Sequence, residues 1–181
     1  MNKFALAAAL LAAPLAARAE VGLRLGLDAT VAYHTKDATG SSTHFITDNF
    51  PLGADVMLSY WTPGELLAID LELGEAFYLN PPGNFSKRIG TVLRPGIRLS
   101  PPILPLYLRA AIPINIEAPN VYDNGRTYGL RLGAGITIPL VLFKVYLEGD
   151  FDTPLGGGNA GSPGAFDTWS FLVNGGLDFR F

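Results

Sequence analysis

The chain has 181 residues, no cysteine, 49% hydrophobic residues and a formal net charge of −3. That length fits one domain, and the composition excludes disorder, a disulfide framework and the lipid-attachment cysteine of a bacterial lipoprotein. The acidity argues against a nucleic-acid partner, and beyond the amino end no run reaches the roughly 18 apolar residues of a spanning helix.

Lys3, the apolar run from Phe4 to Ala17 and the small-x-small triplet Ala17-Arg18-Ala19 predict a secretory signal over 1–19. The run is too short to cross a membrane as a helix. The remaining domain, 20–181, keeps 162 residues with 11 basic and 16 acidic groups, since Lys3 and Arg18 leave with the signal.

From there the chain alternates with a period of two, the pattern of strands. The first strand, Val21 to His34, sets Val21, Leu23, Leu25, Leu27, Ala29, Val31 and Tyr33 against Gly22, Arg24, Gly26, Asp28, Thr30, Ala32 and His34. A polar loop over 35–49 follows. The second strand presents Phe50, Leu52, Ala54, Val56, Leu58 and Tyr60, and turns at Pro63-Gly64 into a third with Leu67, Ile69, Leu71, Leu73 and Phe77. After the loop 79–87 comes a fourth with Ile89, Thr91, Leu93, Ile97 and Leu99, then a short Pro101-Pro102 turn. The fifth runs from Leu104 to Ile116 and leads to the loop 118–125. The sixth carries Tyr128, Leu130, Leu132, Ala134, Ile136 and Ile138; the seventh, beyond a turn at Leu140-Val141, carries Phe143, Val145, Leu147 and Phe151. The final loop, 152–167, contains Gly156-Gly157-Gly158. The last strand, Trp169 to Phe181, puts Trp169, Phe171, Val173, Leu177, Phe179 and Phe181 on one face.

Eight strands are thus joined by connections that alternate long and short. Aromatic residues fall at the loop ends (Tyr33, Phe50, Phe77, Tyr128, Phe151, Trp169) and at the turn ends (Tyr60, Trp61, Phe143, Phe179, Phe181), where interface belts would stand. The whole of 20–181 resembles the small eight-stranded bacterial outer-membrane β-barrels of the OmpA, OmpX and OmpW kind, whose last strand typically ends in Phe. The resemblance implies an all-β, closed, antiparallel, up-and-down transmembrane barrel with short turns and both termini in the periplasm. It also implies contact with outer-membrane lipid and, through Phe179 and Phe181, with the barrel assembly machinery. A soluble lipocalin-like barrel or sandwich is the alternative, but it would not account for two aromatic girdles. Pro95, Pro113 and Glu75 fit the pattern badly; a bulge near Gly74 would turn Glu75 inward.

Parity sends Arg24, Arg94, Arg98, Arg109, Arg131, Lys144 and Arg180 to the lumen together with Asp28, Asp55, Asp70, Glu72, Glu148, Asp150 and Asp178. An eight-stranded barrel is just wide enough for side chains to fill, so a plug of paired charges is expected. Pairing the first strand with the last from Val21 with Phe181 sets Arg24 opposite Asp178, Asp28 opposite Asn174 and Tyr33 opposite Trp169. Two-residue turns set Asp55 opposite Glu72 and Arg131 opposite Asp150, and the turn near Pro101 sets Arg94 opposite Arg109. A row Asp55, Glu72, Arg94, Arg109 is then expected.

No catalytic, cofactor or metal site is expected. The outer-membrane lipid A deacylase uses a His and a Ser in a His-x-Ser-Asn setting, and neither His34 nor His44 has one. Asp37, Ser41, Ser42 and His44, which share a loop, have the residue types of a palmitoyltransferase site but also of any hydrated loop. Asp150, Asp152 and Asp167 lack the spacing of a calcium loop. The expected role is a structural anchor or surface-interaction protein whose loops 35–49, 79–87, 118–125 and 152–167 meet an extracellular partner. A narrow OmpW-like pore is the second reading, and a lipid-modifying enzyme the third.

Overall fold

The computed structural model describes residues 20–37, 40–45, 52–77, 89–101, 103–117, 128–156 and 166–181. The predicted signal 1–19, Phe50 and the loops 79–87 and 118–125 lie outside the described residues. Ten strands are described: β1 (Glu20–Asp37), β2 (Gly40–Phe45), β3 (Leu52–Trp61), β4 (Leu67–Phe77), β5 (Ile89–Leu99), β6 (Leu106–Ala111), β7 (Ile114–Glu117), β8 (Tyr128–Pro139), β9 (Lys144–Gly156) and β10 (Thr168–Arg180). β2 and β3 pair with successive stretches of β1 and make one stave, and β6 and β7 both stand between β5 and β8 and make another. The result is a closed, antiparallel, up-and-down barrel of eight staves, sealed where β10 pairs with β1.

Alternation decides which side chains go where. Val56, Leu58, Ile69, Leu71, Ile97, Leu106, Leu108, Leu132, Ile136 and Leu147 stand exposed on the outer wall, while arginines and carboxylates are buried inside. The distribution is inverted relative to a protein dissolved in water, whose buried charges are few. The apolar wall is what a transmembrane barrel presents to lipid.

Several expectations are corrected. β1 does not alternate without a break: a bulge between Thr30 and Ala32 shifts its pairing, so His34 and not Tyr33 stands opposite Trp169. The extra residue turns the chain by one position, and the His34 ring stacks on Trp169 with centroids 5.2 Å apart. The stretch 35–49 is not all loop, because Gly40–Phe45 pairs back on Ala32–Asp37. β9 likewise runs on to Gly156, so Asp152 belongs to the wall and not to the last loop. The fifth predicted strand is interrupted at Ile112-Pro113, where proline supplies no ladder donor. Continuing the β5 register puts Pro95 opposite Ile112, so both strand-interior prolines fall in one gap, spanned by Ile112 N donating to the Pro95 carbonyl at 2.9 Å. No bulge occurs at Gly74; Glu75 stays on the outer side and accepts a bond from Thr91 Oγ1 at 2.8 Å.

The turns are longer than expected. Trp61 pairs with Ala68, leaving a turn in which Gly64 and Glu65 take left-handed φ of 88° and 54°. Asp55 consequently faces Gly74, and Glu72 faces Met57. Pro139 pairs with Lys144, which brings Arg131 opposite Asp152 and Asp150 opposite Gly133. Arg109 faces Arg98, not Arg94. Each slip is even, so every one of these side chains keeps its face.

Candidate functional site in the barrel lumen

Among the described residues, five arginines (Arg24, Arg94, Arg98, Arg109, Arg131) and seven acids (Asp28, Asp55, Asp70, Glu72, Glu148, Asp150, Asp178) are buried inside the wall. Lys144 and Arg180 are not among them. They lie half-buried at the end where the short turns are, so the interior proper is anionic, not balanced seven against seven.

Glu72 is the hub. It pairs with Arg94 on the neighbouring strand and with Arg109 one strand further on, and Arg131 Nη1 approaches it at 3.8 Å. Arg109 also reaches Asp70 at 3.6 Å and Glu148 at 3.5 Å. Arg24 Nε lies 3.1 Å from Asp178 Oδ2 and Arg24 Nη1 3.5 Å from Glu148, while Arg98 joins Asp70 at 2.9 Å and Asp178 at 3.7 Å. Arg131 forks onto Asp152 with two bonds of 2.7 and 2.6 Å and approaches Asp150 at 3.8 Å. Asp55 is held differently: Asn174 donates to it at 2.9 Å, and the Tyr146 hydroxyl donates to Asn174 at 3.0 Å. Of the expected row, Glu72 with Arg94 and Arg109 are brought together; Asp55 stands apart from it. Asp28 lies over Gly53.

Aromatic rings complete the filling. Trp61, assigned by sequence to an interface belt, is only 1% exposed and points inward. It lies between Arg98 and Arg180, whose guanidinium carbons are 4.8 and 4.1 Å from its ring, and Arg180 is in turn paired with Glu65 of the β3–β4 turn. Adjacent residues on a strand face opposite ways, so with Tyr60 outside, Trp61 belongs inside. Tyr107 and Tyr146 flank Arg24 at 4.6 and 4.3 Å, and the Tyr107 hydroxyl donates to Glu148 at 2.6 Å. Alternation alone places Tyr146 inward beside Lys144 and Glu148, and Tyr107, inward between Leu106 and Leu108, is legible by the same rule.

The side chains fit because glycines face them. A β-carbon at Gly26 would collide with the Tyr146 hydroxyl and the Asp55 carboxylate, at Gly53 with Asp28, at Gly74 with Arg94, at Gly133 with Asp150 and Glu148, and at Gly135 with Tyr107. Each of these large inward side chains thus packs against a residue that has none.

Outside the lumen, His34 Nδ1 is 2.7 Å from Thr43 Oγ1 at the loop end. His44 pairs with Tyr33, and Ser41 and Ser42 pair with Lys36 and Thr35 along the same hairpin. Asp167 meets Lys36 at 3.7 Å, whereas Asp150 and Asp152 face Arg131. Among the described residues no group of His, Cys, Asp and Glu has metal-binding geometry. Phe179 packs against Phe143 at 5.8 Å, and the amide of Phe181 donates to the Val21 carbonyl at 2.9 Å.

No protein-family model and no curated protein matches the sequence. Among solved structures the chain is similar to Neisserial surface protein A (NspA), with a TM-score of 0.58 and 11% identity over 89% of this chain and 97% of that one. At that identity the likeness is one of fold: the closed eight-stranded barrel is shared over nearly the whole length.

Proposed function

We propose that the chain is a bacterial outer-membrane barrel without a catalytic site, which serves as a structural anchor and offers its loops to a partner outside the cell. In this reading both termini lie on the periplasmic side, outer-membrane lipid surrounds the apolar wall, and the assembly machinery engages the last strand through Phe179 and Phe181. The observation that carries it is the filled lumen, in which Glu72, Glu148 and Asp178 each bind at least two arginines and Trp61 with Arg98 and Arg180 occupies the turn end. A bridged, desolvated lattice leaves little room for a solute path. The similar NspA is by its name a surface protein, which supports the same assignment.

A narrow pore is the second reading. It is favoured by a cavity of about 600 Å³ at the turn end, bordered by Glu20, Glu65, Lys144 and Arg180. Because buried acids outnumber buried arginines, a pore through this lumen would prefer cations. Single-channel recording of the purified protein in planar bilayers separates the two: a flat baseline agrees with the anchor, and discrete cation-selective openings overturn it. Mass spectrometry of lipid A from expressing cells tests the third reading, lipid modification, and an unchanged profile is expected.

A further inference from the structure

The turn end of the barrel has two unlike halves. On the β3–β4 turn and at the open ends of β1 and β10 stand Glu65, Glu20 and Arg180, with Tyr60 and Phe179 the outward aromatics there, and Lys144 at the foot of the β8–β9 turn borders the same cavity as these charges. The other half is formed by the β5–β6 and β8–β9 turns. There Ile103 is 92%, Val141 99% and Leu142 83% exposed. Not one charged residue occurs from Leu99 to Leu108 or from Leu132 to Phe143. A turn standing in water draws its residues from Gly, Pro, Asn, Asp and Ser; beside Ser100 and their prolines, these turns carry Ile103, Leu104, Leu140, Val141 and Leu142 instead.

Their backbone is unusual as well. Pro101 and Pro105 in one turn and Pro139 at the start of the other supply no N–H. Several of the remaining amides are bonded within the chain: Ser100 N to the Leu66 carbonyl at 2.8 Å, Leu104 N to that of Pro101 at 3.1 Å, and Leu140 N to that of Phe143 at 2.8 Å. The prolines and these bonds reduce the number of donors that would need water, the direction irregular backbone must take near hydrocarbon. Along the strands the tips lead into the exposed wall, through Leu106 and Leu108 on β6 and Ile136 and Ile138 on β8, while Ile103 and Leu104 also border the turn-end cavity.

From these observations we infer that the β5–β6 and β8–β9 turns are immersed in the lipid bilayer, at interfacial depth, so that the barrel sits tilted with this side sunk and the Glu65 side in water. The inference rests on the membrane reading above and adds an orientation to it. The occupant of the apolar tips is lipid, not a second protein, because along the strands their surface leads into the wall that lipid covers.

The absence of cysteine allows single-site labelling without background. Ile103→Cys and Val141→Cys, with Leu108→Cys on the wall and Glu65→Cys on the opposite turn, are labelled with an environment-sensitive fluorophore. Each is folded into vesicles of phosphatidylethanolamine and phosphatidylglycerol with or without brominated acyl chains, and shifted gel mobility before heating verifies folding. The labels at 103 and 141 are expected to be quenched by brominated chains as the label at 108 is, and weakly by aqueous iodide, with a blue-shifted emission; the label at 65 behaves oppositely. Iodide quenching at 103 and 141 equal to that at 65, with 108 still protected, overturns the tilt and leaves the membrane reading intact. Protection of 103 and 141 from both quenchers means a protein covers them and also overturns it. Iodide quenching at 108 removes the membrane reading and the tilt together.

Discussion

The two weakest places to close a barrel are the junction of its first and last strands and any seam that carries proline, and here they are built in contrasting ways. β1 and β10 meet through thirteen paired positions with one bulge, and a lumen ion pair between Arg24 and Asp178 lies inside that ladder. β5 meets β6 and β7 through only four and three, with Pro95 and Pro113 in the gap between them. Across the gap, side chains take over: Arg109 on β6 reaches over β5 to Asp70 and Glu72 on β4, and Arg94, opposite Pro113 by register, grips Glu72 as well. Backbone bonds close one seam, and a carboxylate shared by arginines braces the other. Neither device is visible from the count of strands.

The contrast is testable by substitution, with stability read from denaturant titration of the folded, heat-modifiable band in lipid. The largest effect is expected for Glu72→Ala, which leaves Arg94 and Arg109 buried without their common anion; a loss of about 3–5 kcal/mol is expected, as for other broken buried pairs. A loss no greater than that at an exposed pair would show that the prolines need no brace. Arg24→Ala on the ladder seam should cost less, about 3 kcal/mol, because Asp178 keeps Arg98 and the thirteen-position ladder is untouched. A larger loss there than at Glu72 would reverse the contrast.

Pro95→Ala restores a donor opposite Ile112 and loosens the unfolded chain, two effects of about 1 kcal/mol and opposite sign. Its net change should be within about 1 kcal/mol, while hydrogen exchange at neighbouring amides slows; unchanged exchange would mean that the gap does not arise from the missing donor. The smallest effect belongs to Glu65→Gln. Its partner Arg180 is retained over Trp61 and the Glu65 side chain is 49% exposed, so no more than about 1 kcal/mol is expected.

Much of this was written in the period-two pattern, and the exceptions share a cause. Parity assigns Arg24, Glu72, Arg94, Arg98, Arg109, Arg131 and Glu148 to one face, and the structure has them inside. The β1–β10 register from Gly22 with Arg180 to Thr30 with Leu172 follows from aligning the two ends, with no turn intervening. Hairpin registers were not legible in the same way. A turn lengthened by an even number of residues leaves every side chain on its face and changes only what lies opposite, which is how Asp152 replaced Asp150 beside Arg131. The bulge before Ala32 has no sequence mark, since Thr30, Val31 and Ala32 are all ordinary strand residues. Trp61 was legible and misread, because its aromatic character was weighed above its position next to Tyr60.

The glycines opposite the lumen charges bear on how the wall assembles without error. Hydrophobic alternation cannot tell a correct pairing from one displaced by two residues, yet the interior can. Asp28 stands opposite Gly53 and Asp55 opposite Gly26. Sliding β3 along β1 by two positions in one direction brings Asp28 against Asp55, two anions in a space built for one. Sliding it the other way sets Gly26 against Gly53 and leaves a hole where a carboxylate belongs. Tyr107 with Gly135 and Asp150 with Gly133 impose the same condition on the far side of the barrel. Big-against-small matching therefore works as a proofreading code for strand alignment, written in the buried side chains of the interior.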